Sequence, residues 1–191
     1  PLIESMGGVV WGTLNNPVMT AIPLFMLLGE LLLRGGIADK MFDALAVWLG
    51  RLPGGLLHTN IGTCALFSAT SGSSVATAAT VGTIALPALG ERNYPVRPSL
   101  GTLAAGGTLG ILIPPSVNLL VYGSLANVSV GQLFIAGVLP GVILTLLFMA
   151  YVAVAYPNAG RESSGVDVSP VEKRRLLRHL VPPAIIFGIV M

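Results

Sequence analysis

The stretch SATSGSSV (Ser68–Val75) interrupts the best membrane segment in the chain with four serines and a glycine. Before it runs LLHTNIGTCALF (Leu56–Phe67) and after it ATAATVGTIALPAL (Ala76–Leu89), both apolar. A row of small hydroxyl residues does not make a lipid-facing surface. Irregular backbone at membrane depth is tolerated only where protein buries it or water reaches it. The fold turns on whether these serines cap a hairpin that enters the membrane and returns, or merely join two spans. At 1.5 Å per residue an arm of about 15 residues reaches roughly 22 Å, short of an apolar core about 30 Å thick. The length predicts a re-entrant helical hairpin over residues 55–90 with its tip at 71–74.

The composition agrees with a membrane setting. Of 191 residues, 53% are hydrophobic and 9% charged, where an ordinary soluble domain carries about a quarter charged residues. Mean hydropathy is +0.84. No Asp, Glu, Lys or Arg occurs from Leu52 to Gly90 or from Pro98 to Gly160. The single cysteine, Cys64, excludes an internal disulfide and a cysteine-rich metal centre. A formal charge of +2 does not suggest a nucleic-acid partner. The opening PLIESMGG and the short apolar end PPAIIFGIVM are expected of a piece of a longer membrane protein.

Outward from the hairpin, residues 17–33 read as a transmembrane helix, with Glu30 and Arg34 spaced for a pair at its end. Residues 37–51 read as an amphipathic helix on the membrane surface, with Trp48 at headgroup level. Residues 99–127 are interrupted by GGTLGILIPPS (Gly106–Ser116). Two tandem prolines remove two backbone donors and bias Ile113 away from helical dihedrals, so a broken transmembrane helix is expected. A full span follows at 133–155, then a polar loop at 158–179 and a truncated apolar helix at 180–191. The basic residues fall in the loops around 34–51, 91–97 and 161–178, which the positive-inside rule places in the cytoplasm.

Two interrupted segments in one chain are the best sequence pointer to a transporter's ion and substrate sites. The first arm ends in helix carbonyls, suited to a cation, and the second begins with helix N–H groups, suited to an anion. Ser68 and Ser71 offer hydroxyl oxygens, and the break around Gly110, Ile113 and Pro115 offers carbonyls. Neutral oxygens suit a hard cation such as Na+. Proton coupling would call for an intramembrane acid or histidine, and the charge-free windows hold only His58, near a hairpin foot. Close helix packing accounts for Ala76, Ala78, Ala79, Gly82 and Gly101, but it does not require two prolines in tandem.

The motifs AIPLFMLLGELLLRGGIADK (Ala21–Lys40), LPGGLLHTNIGTCALFSATSGSSVATAATVGTIALPAL (Leu52–Leu89), AAGGTLGILIPPSVNLLVYG (Ala104–Gly123) and LFIAGVLPG (Leu133–Gly141) resemble, in this order, the large membrane subunit of tripartite ATP-independent periplasmic (TRAP) transporters, the DctM type. The resemblance implies an all-α integral membrane protein of the bacterial inner membrane, with an ion-transporter-superfamily elevator fold. It implies two inverted repeats, each with a hairpin and a broken helix. Only one hairpin and one break are present here. It further implies Na+-coupled uptake of an organic acid, such as a C4-dicarboxylate or sialic acid, delivered by a periplasmic substrate-binding protein (DctP-like). A small membrane subunit (DctQ-like) would complete the complex. No cofactor is implied beyond Na+ as coupling ion. Carried over by position, Ser68 and Ser71 with carbonyls near Gly110, Ile113 and Pro115 would hold sodium. Ser73, Ser74 and Asn118 would border the substrate.

Other classes are weaker. A serine hydrolase acting through Ser73 or Ser74 needs a base within hydrogen-bond reach, and the two histidines are His58, far down the arm, and His179. A channel could use the same irregular segments, though saturable, gradient-coupled flux would argue against it. A sodium/anion symporter of the same superfamily, working without a binding protein, is the nearest rival.

Overall fold

The computed structural model describes residues 2–15 and 17–159, together with 181, 185 and 188. Its elements are all helices: α1 (Leu2–Leu14), α2 (Pro17–Arg34), α3 (Ile37–Leu49), α4 (Leu56–Ser71), α5 (Ser74–Glu91), α6 (Val96–Leu112), α7 (Val117–Ala126) and α8 (Val130–Ala155). Most of the expected loop at 158–179 and most of the expected helix at 180–191 lie outside the described residues.

Polarity in this bundle is turned inside out. Among the described residues twelve polar ones are buried, including Thr59, Asn60, Thr63, Ser68, Ser71, Thr77 and Ser116, while Leu24, Leu27, Leu31, Ile135, Leu139, Leu146 and Leu147 are exposed. In water such an apolar surface would be a liability; in lipid it is the ordinary outer face of a helix. Residues 96–126 and 130–155 are long and apolar enough to cross a membrane, α8 with a mean hydropathy of 2.5. The first of these stretches is not one continuous helix, because Ile113–Ser116 separates α6 from α7. Shorter apolar sequence lies at Met19–Leu31 in α2.

Helix α4 is the axis of the bundle. Every residue from Leu56 to Cys64 is buried, as expected of a helix surrounded on all sides. Its Leu57, Ile61, Cys64 and Phe67 join Met41 and Phe42 of α3, Val81, Ala85 and Leu89 of α5, Leu109 of α6 and Val152 of α8 in one core. Close approach needs small residues. A Cβ on Gly106 would stand 2.8 Å from Cys64 Cβ, and one on Gly107 would stand 2.9 Å from Ala78 Cβ, so α6 lies tightly against both hairpin arms.

Several boundaries differ from the sequence reading. Helix α1 was not expected; its glycines at 7, 8 and 12 masked an otherwise helical pattern. Helix α6 begins at Val96 and α8 at Val130, each three residues earlier than expected. Pro98 falls in the first turn of α6, where a missing N–H is unpaired anyway. Helix α3, expected along the membrane surface, buries Ala38, Met41, Phe42, Ala44 and Val47 and leaves Trp48 about half exposed. Near the end of α2, Arg34 Nε donates to Glu30 Oε1 at 2.8 Å.

Candidate ion site at the hairpin tip

Helix α4 ends because Gly72 adopts a left-handed conformation (φ 63°), returning its N–H to the Ser68 carbonyl at 3.0 Å. Glycine is the residue that takes this conformation without a steric penalty. Ser73 then caps α5: its hydroxyl accepts from Ala76 N at 3.3 Å, and its carbonyl accepts from Thr77 N at 3.0 Å. The serine run is thus two helix caps back to back, which is why the chain can reverse in so few residues.

The break in α6–α7 arrives at the same place. Val117 N, the first N–H of α7, donates to the Gly72 carbonyl at 3.1 Å. The Pro115 carbonyl lies directly against the Gly72 α-carbon, so that any Cβ there would collide with it. From the other side, a Cβ on Gly110 would stand 2.8 Å from Ser74 N and 2.9 Å from Ser73 C. Ser116, fully buried, donates its hydroxyl to the Ile111 carbonyl at 2.7 Å and so ties the two halves of the break together. The peptide bond between Pro114 and Pro115 is cis.

Below the tip is a knot of hydroxyls. Thr77 Oγ1 donates to the Ser73 carbonyl at 2.7 Å, and it lies 3.0 Å from Ser71 Oγ and 3.4 Å from Ser68 Oγ. All three side chains are buried. Helix α2 closes over them, with Gly29 so near that a Cβ would stand 3.2 Å from Ser71 Cα. A cleft of about 320 Å³ opens beside them, lined in part by Met26, Glu30, Ser71, Ser73 and Thr80.

Of the residues singled out from sequence, Ser68, Ser71, Ser73, Ser74, Gly110 and Pro115 therefore come together. Ile113 sits at the break, but its side chain points to α8, where a Cβ on Gly141 would meet Ile113 Cγ1 at 2.8 Å. Asn118 is exposed on the first turn of α7 and makes no hydrogen bond to the serines. The helix ends are also less bare than the sequence suggests. The Ser68 and Gly72 carbonyls and the Ala76 and Thr77 N–H groups all have partners. Sequence reasoning missed Thr77, Ser116 and Gly29. For Thr77 the signal was present: Thr77 and Thr80 recur at helical spacing on an otherwise apolar arm.

Chemically, the tip gathers hydroxyl and carbonyl oxygens in a buried setting, and the described residues hold no cluster of three His, Cys, Asp or Glu side chains that could bind a metal. Such a neutral oxygen set fits a hard monovalent cation and offers nothing to a soft metal.

Comparison with known proteins assigns the sequence to a family. The model for the tripartite ATP-independent periplasmic transporter, DctM component, matches residues 1–191. The chain is 40% identical over 152 residues to a C4-dicarboxylate TRAP transporter large permease protein of Pseudomonas aeruginosa, covering 80% of this chain and 36% of that protein. It is 39% identical over 138 residues to a sialic acid TRAP transporter permease protein of Haemophilus influenzae, covering 72% of this chain and 22% of that one. An ectoine TRAP transporter large permease protein of Halomonas elongata is 32% identical over 175 residues, with 89% of this chain and 40% of that protein covered. The chain thus spans well under half the length of each of these relatives. The chain belongs to the DctM family of TRAP transporter components.

Proposed function

We propose that this chain is part of the large membrane subunit of a sodium-coupled transporter that imports an organic acid across the bacterial inner membrane. The observation that carries the proposal is the meeting of two chain interruptions at one buried point, joined by the hydrogen bond from Val117 N to the Gly72 carbonyl at 3.1 Å. Interrupted helices that meet at membrane depth are how secondary transporters build ion sites. At about 1.5 Å per residue, the ten residues of α7 carry the chain about 15 Å beyond the level of the tip. That supports a re-entrant hairpin whose tip lies near the middle of the bilayer.

On this reading Ser68 and Ser71, with carbonyls near Gly110, Ile113 and Pro115, hold the coupling Na+. Ser73 and Ser74 face the carboxylate, and Asn118 stands further along the substrate path. Relatives are named for a C4-dicarboxylate, for sialic acid and for ectoine, so the named substrate differs across the family. The choice among them then lies with a periplasmic binding protein, and a small membrane subunit completes the assembly.

The test uses the intact complex in proteoliposomes, with its binding protein and a panel of labelled organic acids. Uptake is expected only with both an inward Na+ gradient and the binding protein, and Ser71→Ala is expected to weaken it. Sodium-dependent uptake without any binding protein would point to a stand-alone sodium/anion symporter. Uptake indifferent to sodium and to Ser71→Ala would sink the ion-site assignment.

A further inference from the structure

Thr77 occupies a position in the tip that simple helix packing does not explain. A hydroxyl has one proton and two lone pairs. The Thr77 proton is committed to the Ser73 carbonyl at 2.7 Å, one turn back along α5. Ser71 Oγ at 3.0 Å and Ser68 Oγ at 3.4 Å can therefore meet Thr77 Oγ1 only as donors, each filling one of its lone pairs. A threonine that bonds back to the carbonyl four residues earlier is ordinary in helices. Here the same oxygen also receives two hydroxyls from the opposite arm, and all three side chains are buried away from water.

The consequence is a defined proton direction. A serine hydroxyl can turn either a proton or a lone pair toward a neighbour, and only the lone pair stabilises a cation. With both serine protons pointing at Thr77, the far sides of Ser68 Oγ and Ser71 Oγ are acceptors only. Thr77 is itself saturated by three hydrogen bonds, so it is no ligand.

We propose that Thr77 is a positioning residue for the coupling cation: it orders the Ser68 and Ser71 hydroxyls so that both present lone pairs to the ion. This rests on the sodium reading above, and it adds a residue that neither chain interruption contains. Thr77→Val keeps the shape of the side chain but removes the acceptor and the proton. Losing that order is equivalent to one net hydrogen bond to a charged group, which corresponds to about a tenfold weaker sodium affinity. Thr77→Ser keeps the hydroxyl and should restore affinity.

The experiment uses the purified full-length transporter complex. Sodium is titrated at constant ionic strength while the rise in melting temperature is followed, with sodium-dependent uptake measured in parallel. The expected result is that Thr77→Val needs about ten times more sodium for half of its stabilisation, that Ser71→Ala does likewise, and that Thr77→Ser behaves as the parent. Should Thr77→Val not assemble, Thr77→Ala is titrated in its place and read the same way. A Thr77→Val protein that melts lower but needs no more sodium would make Thr77 a structural bridge only and overturn the proposal. The same holds if Ser71→Ala alone shifts the sodium dependence, and in that case the ion-site reading survives. If no variant shifts it and the parent ignores sodium, both fall together.

Discussion

At the scale of single residues, the tip is controlled by where a side chain cannot be. Gly72 is left-handed, and a Cβ there would collide with the Pro115 carbonyl, while one on Gly110 would press into the Ser73–Ser74 backbone. Neither obstacle is the free end of a flexible side chain, so neither can yield cheaply. For Gly72→Ala the left-handed backbone alone costs about 1–2 kcal/mol, before the collision is counted. Gly110→Ala overpacks a tight contact, a class of change that costs about 1–3 kcal/mol. Gly101, on the same helix as Gly110, was expected from the sequence to serve close packing, but it is exposed and has nothing within 4 Å of an added Cβ. Gly101→Ala should therefore be neutral or slightly stabilising, since alanine is the better helix former by about 1 kcal/mol. Thermal unfolding of the three variants in the full-length complex decides this. Equal melting temperatures for Gly72→Ala and Gly101→Ala would show that the hairpin and the break do not touch as described.

At the scale of elements, the hairpin is held at its foot as well as at its tip. The Leu56 N–H at the start of α4 donates to Tyr94 Oη at 3.0 Å, across from the loop that follows α5. Tyr94 is 7% exposed, so the hydroxyl does for this helix start what a capping side chain does elsewhere. Nearby, His58 Nε2 lies 2.6 Å from the Pro53 carbonyl, and Asn60 Nδ2 donates to Thr102 Oγ1 at 3.0 Å and to the Ser99 carbonyl at 3.3 Å. The cap joins one end of the hairpin to the other, and the Asn60 amide fastens α4 to α6. Tyr94→Phe leaves a buried N–H without its partner, which costs about 1–3 kcal/mol. Tyr122→Phe, at a site 58% exposed, should leave the melting temperature where it is. If both substitutions prove silent in thermal unfolding, the cap contributes nothing.

At the scale of the whole molecule, the described helices form one hairpin and one broken helix packed around α4, with an apolar exterior. On the proposed topology the turn after α5 lies in the cytoplasm, and the turn between α7 and α8 lies on the opposite face. Cys64 is fully buried, so within this chain it should give no background with a membrane-impermeant maleimide. In intact spheroplasts, Asn127→Cys in the full-length transporter is expected to react, and Glu91→Cys to react only after permeabilisation. The reverse pattern would invert the topology. Labelling of both from outside would instead put the two turns on the same face.

Much of the architecture was legible in the residues. Charge-free windows, arm length and the tandem prolines each constrain a chain in lipid locally, because an unpaired backbone group there costs several kcal/mol. That is why a hairpin around the serines and a break near Pro114 could be expected from spacing alone. Combining the serines and the glycine-proline break as one oxygen-ligand set rests on their chemistry and on the family resemblance, not on spacing. What only the tertiary structure decided is which groups shelter which. Thr77 as a hub and Gly29 over Ser71 join different arms or residues far apart in sequence, and nothing local to them dictates the partner; Ser116 reaches back five residues to Ile111, a tie that depends on how the break folds. Ser73 and Ser71 look alike in the sequence. One caps α5 and the other joins the buried hydroxyl knot, because the left-handed turn at Gly72 sends them into different helices.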